Sequence, residues 1–394
     1  LISRLPLAAK AVINPQIAYG EDVMSRLEAV MVDPAQANQL QQDVVEAINT
    51  TAAELCDSQG ITPTHLLDIC LVGNTAMHHL LAGLPTRPLA VVPFVPALSS
   101  PLDIHARQLG LLAAPGARVY LPPPIAGFVG SDHLAFLLAV DFGKDNQTKL
   151  GMDSGTNTEI ALQGGDQIVS CSTASGPAFE GAHIRQGMRA APGAIERVKI
   201  GKDGSIRFHV IGDKPASGIC GSGILDILAE LYRANIINER GRLNPNKPGV
   251  RRQSEKLPEF VLAAASNCRH EITVAQEDID QVLLAKGAIR AGINILINTL
   301  NIEPDQIDKV VIAGAFGTYL DPYNAVRIGL LPQLPLNRIQ AVGNAAGAGA
   351  RMLLASTEAR RRAANLAKRI EYLELTVHPG FNKYFAHGVR LPSF

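Results

Sequence analysis

The residues best suited to chemistry form a short polar turn between two apolar stretches: Asp153, Ser154, Gly155, Thr156 and Asn157. The flanking residues, 149–152 and 158–162, have the pattern of two strands, so the sequence predicts a hairpin. Gly and Thr at such a turn can aim backbone N–H groups and a hydroxyl at phosphate oxygens. An Asp at the strand end can hold Mg²⁺ through water or orient an attacking water molecule. The turn is a candidate phosphate site, and a plain Ser-Gly-Thr hairpin is the alternative.

A second glycine-rich turn, at residues 218–223, leads into an apolar helical stretch. Such a turn at a helix start offers free N–H groups and the positive end of the helix dipole. Gly221, Ser222 and Gly223 are therefore candidates for a nucleotide contact. The spacing is not that of G-x-G-x-x-G after a strand, which excludes a Rossmann dinucleotide site. A tight turn that packs against the sheet explains these glycines equally well.

Glu180 and His183 have the spacing of two ligands on one helix face. A di-iron site would need a second copy of this pair and further carboxylates, and the sequence offers neither. The pair is surrounded by four glycines, at Gly176, Gly181, Gly187 and Gly193. These glycines predict a loop that crosses the mouth of a cleft, where a partner or substrate is met. We therefore expect Glu180 and His183 to face a partner or to serve structure.

The elements that must position these residues are repeated along the chain. Residues 61–73 and 302–314 align without a gap and share Ile, Pro, an aliphatic strand and a closing Gly. Apolar residues recur every three or four positions before both copies, so each copy follows an amphipathic helix. A second pair, 125–138 and 342–354, follows in the same order, and each member runs from a strand end through small residues into an apolar helix. The order predicts a duplicated α/β fold whose copies superpose about a pseudo-two-fold axis.

We divide the chain into a first α/β half at residues 1–145 and a second α/β half at residues 146–394. The boundary is placed there because residues 141–149 are polar and rich in turn formers. Residues 241–270 are polar and contain proline, which predicts a loop or excursion within the second half. The first half is expected to be incomplete at its N-terminus, since the chain begins at Leu1.

Composition limits the classes of function. Hydrophobic residues make up 47% and charged residues 18%, which is typical of a globular protein with large cores. The 36 basic residues balance the 36 acidic ones, so no net charge attracts nucleic acid or an anionic membrane. The 5 cysteines lack C-x-x-C spacing and are odd in number, which favours a reducing compartment. Without a signal peptide or an apolar run of about 18 residues, a cytoplasmic protein is expected.

The hairpin at 153–158 resembles the second phosphate motif of the sugar kinase, Hsp70 and actin superfamily, whose duplicated ribonuclease H-like halves enclose a nucleotide cleft. Residues 310–317 resemble its adenosine motif, an apolar strand that ends in small residues. Residues 127–139 and 343–355 look like its two connecting helices. The resemblance implies that Asp153 is the catalytic and Mg²⁺-binding residue. It also implies that the nucleotide contacts the turn and the end of the second motif: Gly314, Ala315, Phe316 and Gly317.

Longer strings resemble the ATP-dependent reductive activators of corrinoid proteins, nearly from end to end. These strings are residues 14–26, 72–79, 174–184, 187–195 and 218–224. Proteins of that family return an inactive Co(II) corrinoid to Co(I) in a reaction coupled to ATP. The resemblance implies ATP and Mg²⁺ as ligands and a corrinoid protein and an electron donor as partners. It leaves a homodimer open.

The chain departs from that family's pattern in three places. Cluster cysteines are absent from both ends, although many members carry an N-terminal [2Fe-2S] domain and others a C-terminal ferredoxin-like module. The first phosphate motif, a D-x-G-T-T-T hairpin, is also absent. The second motif has Ser154 where the family commonly has Ile, and Thr158 where it has Gly. We therefore expect a [2Fe-2S] cluster only on a segment upstream of Leu1, and no unaided cobalt reduction by residues 1–394.

Two other functions remain open on the residues alone. A small-molecule kinase of the same fold would need a general base near a sugar-sized pocket, and the sequence offers no convincing residue. A non-catalytic partner-binding module would result if the incomplete phosphate motifs had abolished nucleotide binding. ATPase activity with and without a corrinoid protein separates the three functions.

Overall fold

The computed structural model of the chain describes residues 6–20, 22–212, 214–252, 257–314 and 320–393. In chain order its α-helices are α1 (Val23–Val32), α2 (Gln36–Asp57), α3 (Thr75–Ala82), α4 (Arg87–Ala90), α5 (Ser131–Ala139), α6 (Gly221–Arg233), α7 (Gln276–Thr299), α8 (Pro322–Arg327), α9 (Ala345–Ala355), α10 (Thr357–Arg369) and α11 (Phe381–Val389). Its strands are β1 (Asp68–Cys70), β2 (Leu102–His105), β3 (Arg118–Leu121), β4 (Lys149–Ser154), β5 (Thr158–Gly164), β6 (Gln167–Thr173), β7 (Ala194–Ile200), β8 (Ile206–Val210), β9 (Gly218–Ile219), β10 (Val250–Arg251), β11 (Glu259–Ala263), β12 (Ile272–Ala275), β13 (Lys309–Ala313), β14 (Ile339–Gly343) and β15 (Ile370–Tyr372).

The chain divides into two compact units, and each unit is made of two separate segments of the chain. The first unit contains residues 1–145 and 345–372, and the second contains residues 146–344 and 373–394. The sequence-based division placed 345–372 in the second half, whereas in the structure these residues pack with the first unit because α9 lies against α5. Gly349 permits this approach, since a Cβ at that position would overlap the carbonyl oxygen of Ala135.

The first unit is built on a small sheet in the order β1-β3-β2, in which β1 and β3 are parallel and β2 and β3 antiparallel. Its core includes the buried side chains of Val119 and Leu121. Helix α10 is fastened to this sheet by Arg360. The Arg360 guanidinium lies 4.3 Å from the centre of the Tyr120 ring and donates a hydrogen bond of 2.8 Å to Asp68. The cation–π contact and the ion pair therefore fix the second chain segment of the unit onto the first.

The large sheet of the second unit carries the strands in the order β14-β13-β4-β5-β6. Strand β13 pairs in parallel with β4 and β14, and β4, β5 and β6 form an antiparallel meander. Helix α7 covers this sheet, and Gly292 brings it so close that a Cβ there would lie 3.0 Å from Ile160. By length and composition α7 could cross a membrane, but 72% of its most apolar stretch is buried. It is therefore the core helix of this unit.

The predicted order of elements is confirmed in both copies of the repeat. Helix α2 is followed by a 3-10 helix at Pro63–His65 and by β1, and α7 is followed by a 3-10 helix at Pro304–Gln306 and by β13. Each of these strands has a parallel neighbour, β3 or β14, and that neighbour is followed by a helix, α5 or α9. The pseudo-two-fold superposition stays a prediction.

The expected loop or excursion at residues 241–270 is instead partly ordered into strands. Strand β11 pairs antiparallel with β10 and β12. The side chains of Phe260 and Leu262, which flank Val261 in β11, are buried. The burial of these two large apolar side chains explains why a strand forms where a loop was expected, because burial stabilises this part of the segment against the core. A further small sheet has the order β8-β7-β9.

Three histidines of the first unit are buried: His78, His79 and His133. His79 donates from Nδ1 to the Thr75 carbonyl oxygen at 2.8 Å and accepts at Nε2 from the Ala97 N–H at 3.0 Å, so it is held in a neutral tautomer. Burial, with a smaller effect of neighbouring His79, lowers the pKa of His78 to about 4. Burial lowers the pKa of His133 to about 3. Burial also lowers the pKa of His79, against the opposing effect of its bond to Thr75.

These lowered pKa values predict that the protein loses stability in mild acid. Below pH about 6.5 the unfolded state binds protons that the folded state excludes, so the free energy of unfolding falls as the pH drops toward 4. His78 and His133 together should lower the free energy of unfolding by about 4 kcal/mol between pH 7 and pH 5. Urea unfolding followed by circular dichroism at both pH values measures this loss.

A substitution separates the histidine effect from general acid destabilisation. Neither ring nitrogen of His78 has a hydrogen-bond partner among the described residues, so His78→Leu should be tolerated and should remove roughly half of the loss. The control is His209→Gln, which replaces an exposed histidine of β8. An equal pH dependence in the wild type and His78→Leu would contradict the prediction.

Candidate functional site

The predicted hairpin is present, and its register fixes where the polar turn lies. Ser154 pairs with Thr158 and Asp153 with Glu159, so the turn consists of residues 155–157. It is closed by a hydrogen bond of 3.0 Å from the Gly155 N–H to the Asn157 carbonyl oxygen. Gly155 is exposed and the other two turn residues are half-buried, so the polar groups of the turn are accessible to a ligand.

The register places two carboxylates on one face of the hairpin. Residues directly opposite in an antiparallel pair point to the same side, so Asp153 and Glu159 are neighbours there. The Ser172 hydroxyl donates to Glu159 Oε1 at 3.2 Å and holds this side chain in place. Glu159 was not selected from the sequence. The three-residue turn was the signal that could have identified it, because turn length sets the register of a hairpin.

The opposite face of the hairpin is a buried row of hydroxyls. Ser154 Oγ lies 3.5 Å from Thr158 Oγ1, and Thr158 Oγ1 shares a hydrogen bond of 2.8 Å with Ser175 Oγ. Ser175 Oγ also lies 3.4 Å from the carbonyl oxygen of Thr156. Ser154 is only 7% exposed, so its hydroxyl serves the packing of the hairpin and does not face the accessible turn. The structure thus gives no support to a Ser154 side-chain contact with phosphate.

Strand β13 brings the second predicted motif to the same sheet edge. Ala313 pairs with Asp153, so the carboxyl ends of β13 and β4 lie side by side. Gly314 follows with φ of +88°, and a Cβ there would lie 2.5 Å from the Ser154 carbonyl oxygen and 3.3 Å from Asp153 Oδ1. Only glycine allows this approach without strain. Three further residues assigned to this motif, Ala315, Phe316 and Gly317, lie outside the described residues.

Glu180 contacts the turn directly, which its position in the sequence did not predict. The Thr156 hydroxyl donates to Glu180 Oε1 at 2.9 Å. Glu180 ends a 3-10 helix, Pro177–Glu180, and Gly181 follows in the left-handed region with φ of +83°. His183 has a left-handed backbone of its own, with φ of +60°. Glu180 and His183 therefore do not share a helix face, and the spacing has no significance for metal binding.

The turn at Gly221, Ser222 and Gly223 is explained by packing. A Cβ at Gly221 would overlap the carbonyl oxygen of Phe179, and one at Gly223 would overlap that of Ile195. Ser222 is buried and its hydroxyl lies 3.4 Å from Cys220 Sγ. The start of α6 is thus pressed against neighbouring backbone. A nucleotide contact at these three residues stays a prediction without structural support.

Neither a ready-made metal site nor a cluster site is found in the part of the chain that the structure describes. There, no three His, Cys, Asp or Glu side chains are grouped so that they could hold a metal ion. All 5 cysteines are unpaired. Burial raises the pKa of Cys70 to about 11 and also raises that of Cys171. These thiols do not fit an iron–sulfur cluster, which needs four accessible thiolates.

Comparisons with known proteins cover the whole chain. Residues 147–394 match the family model described as the C-terminal domain of RACo, the ASKHA domain, and residues 1–145 match the RACo middle region. The corrinoid activation enzyme RamQ of Eubacterium limosum is 33% identical over 94% of this chain and 64% of its own length. The [Co(II) methylated amine-specific corrinoid protein] reductase of Methanosarcina barkeri is 29% identical over 68% of this chain and 50% of its own length.

A solved structure agrees with these similarities in sequence. The protein called reductive activator for corrinoid, iron-sulfur protein superposes with a TM-score of 0.90 at 36% identity, over 99% of this chain and 63% of that one. The present chain thus spans less than two thirds of the length of each of these relatives. The ASKHA fold expected from the sequence is confirmed.

The close approach at Gly314 predicts a strong asymmetry between two glycine substitutions. Gly314→Ala adds both backbone strain and overlap with the Ser154 carbonyl oxygen, and it should lower the free energy of unfolding by about 3 kcal/mol. Gly165, in the next hairpin, has φ of +58°, but an added Cβ there would have no atom of the described residues within 4 Å. Gly165→Ala adds strain alone and should cost about 1 kcal/mol. Urea unfolding measures both values, and equal losses would show that the contact is unimportant.

Proposed function

The chain belongs to the RACo family, and from this premise we propose that it binds ATP and acts in the ATP-dependent reductive activation of a corrinoid protein. The cobalt ion of that partner would be reduced from Co(II) to Co(I). This change takes one electron, which we assign to a separate donor because the cysteines of the chain do not fit a cluster. A [2Fe-2S] cluster on an upstream segment remains a proposal.

One observation within the chain carries the nucleotide part of the proposal. The polar turn and Gly314 lie at the carboxyl ends of two adjacent parallel strands, next to the carboxylate of Asp153. Ligands of α/β proteins bind at this edge of a sheet, where loops follow the strands. The missing side chain at Gly314 lets the end of β13 approach the Ser154 carbonyl oxygen, so the end of this strand lies beside the polar turn.

The donors of the turn fit the phosphates of a nucleotide. The Thr156 hydroxyl and the backbone N–H groups of Thr156 and Asn157 would donate to phosphate oxygens, while the N–H of the exposed Gly155 closes the turn. Asp153 would orient a water molecule or hold Mg²⁺ from the carboxylate face of the hairpin, with Glu159 beside it. Mg²⁺ is usually held by one or two carboxylates together with the phosphates and several water molecules. The pair Asp153 and Glu159 therefore suits Mg²⁺ bound together with a nucleotide. When bound, Mg²⁺ neutralises phosphate charge.

ATP can drive an otherwise unfavourable reduction only if it binds two states of the protein or of its complex with different affinity. The chain must therefore connect the phosphate turn to a surface that a partner can contact. The loop with Glu180 and His183 supports this role, because it is exposed and one of its residues is bonded to the turn. We assign the corrinoid protein to this loop. The 5 unpaired cysteines support a further proposal, that the protein works in a reducing, cytoplasmic compartment.

Asp153→Asn tests the assignment in the full-length protein. Loss of the charge should lower the rate of ATP-dependent Co(I) formation at least about a hundredfold, because it removes the group that positions water or Mg²⁺. The thermal unfolding midpoint should stay near that of the wild type. Visible absorption of a purified Co(II) corrinoid protein, mixed with a reductant and ATP, measures the rate.

Asp166→Asn is the matched control, since Asp166 is an exposed acid in the neighbouring β5–β6 turn. It should retain the wild-type rate. Full activity of Asp153→Asn would refute the assigned role. Phosphate transfer to a small molecule, with no effect of the corrinoid protein on ATP turnover, would favour the kinase alternative.

A further inference from the structure

The hydrogen bond between Thr156 and Glu180 occupies a donor that a nucleotide would need. The Thr156 hydroxyl has one proton, and in this structure it points to Glu180 Oε1 at 2.9 Å. The same hydroxyl is one of the groups that would donate to a phosphate oxygen. A phosphate and the Glu180 carboxylate therefore compete for one proton.

Charge makes the competition stronger. A phosphate bound at Thr156 would lie next to the Glu180 carboxylate, and two anions so close repel each other. Glu180 carries no ion pair in the described part of the chain, so its carboxylate has no paired cation to offset this repulsion. Binding of phosphate at the turn thus favours a state in which Glu180 has moved away from Thr156.

The part of the chain that can respond is short. On one side, Phe179 is buried and its carbonyl oxygen is packed against Gly221. On the other side, the Arg185 N–H donates to the buried Asp278 at 2.7 Å. Between these two points Gly181 is buried, and its N–H donates to the Ala178 carbonyl oxygen at 3.1 Å. A change at Glu180 would therefore act on its exposed side chain and on the end of the 3-10 helix, Pro177–Glu180.

We infer that the Thr156–Glu180 hydrogen bond is a nucleotide-sensitive latch. Without nucleotide it holds the Glu180 side chain against the phosphate turn, and bound phosphate breaks it and makes Glu180 available to the corrinoid protein. The inference rests on the proposed function, because it takes the turn as the phosphate site. Glu180 is a positioning residue in this scheme, since it acts through Thr156 and through the loop.

Hydrogen exchange of the full-length protein tests the latch. A peptide covering residues 180–184 should exchange roughly tenfold faster when Mg²⁺ and a non-hydrolysable ATP analogue are added to the wild type. Glu180→Ala should show this faster exchange already without nucleotide. Glu180→Gln keeps an acceptor for Thr156 and loses the charge, so its loop should stay slow until the analogue is added. Glu196→Gln, which removes an acid bonded to His209 in another hairpin, should behave as wild type.

Affinity for the analogue, measured by calorimetry, gives an independent readout. Both Glu180 variants should bind roughly fivefold more tightly than the wild type, because the competing anion is gone. Weaker binding would overturn the latch and would indicate that Glu180 supports the nucleotide directly.

The outcomes distinguish the latch from the function on which it rests. If the wild type binds the analogue and the exchange of residues 180–184 does not change, the latch is wrong and the proposed nucleotide site stands. If Glu180→Ala exchanges like the wild type without nucleotide, the latch is also wrong. If the wild type binds no nucleotide, the proposed function and the latch fail together, and the Thr156–Glu180 bond is purely structural.

Discussion

The site depends on the parallel pairing of β13 with β4, which sets Ala313 beside Asp153. This register puts the end of β13 against the base of the hairpin, and it is possible only because the next residue is glycine. A side chain at position 314 would overlap the Ser154 carbonyl oxygen and lie close to Asp153 Oδ1. The hairpin in turn depends on its buried hydroxyl row, in which Thr158 joins Ser154 to Ser175. One face of the hairpin thus provides rigidity, while the other presents Asp153 and Glu159.

Much of the fold could be predicted because its signals are local. The hairpin at 153–158 has a turn between two apolar stretches, and the two helix-and-strand copies have the same Pro and Gly at their ends. What could not be predicted depends on distant contacts. The place of residues 345–372 in the first unit is decided by the fit of Gly349 against Ala135, which no local pattern reveals. The contact of Glu180 with Thr156 likewise arises because Phe179 is anchored at Gly221.

The same distinction explains why glycine-rich segments were hard to interpret from sequence. Gly221 and Gly223 occur at a helix start, as they would in an anion site, but they serve the close packing of α6 on Phe179 and Ile195. Gly314 allows an equally close approach, yet it lies at an accessible sheet edge beside a carboxylate. The residue type is the same in all three cases, and only the surroundings separate a packing role from a binding role. Function can be argued at Gly314 because charged and donor groups converge there.

The interleaving of the two units along the chain has a consequence for biosynthesis. Helix α5 is complete once residue 139 has been made, but the helix that packs on it, α9, is about 200 residues further on. At about 5–20 residues per second, a ribosome needs roughly ten to forty seconds to reach it. During that interval the apolar side of α5 has no α9 to cover it, while the strands of the second unit are already emerging. The first unit cannot finish folding before much of the second has been translated, so the order of domains in the sequence is not the order in which they are completed.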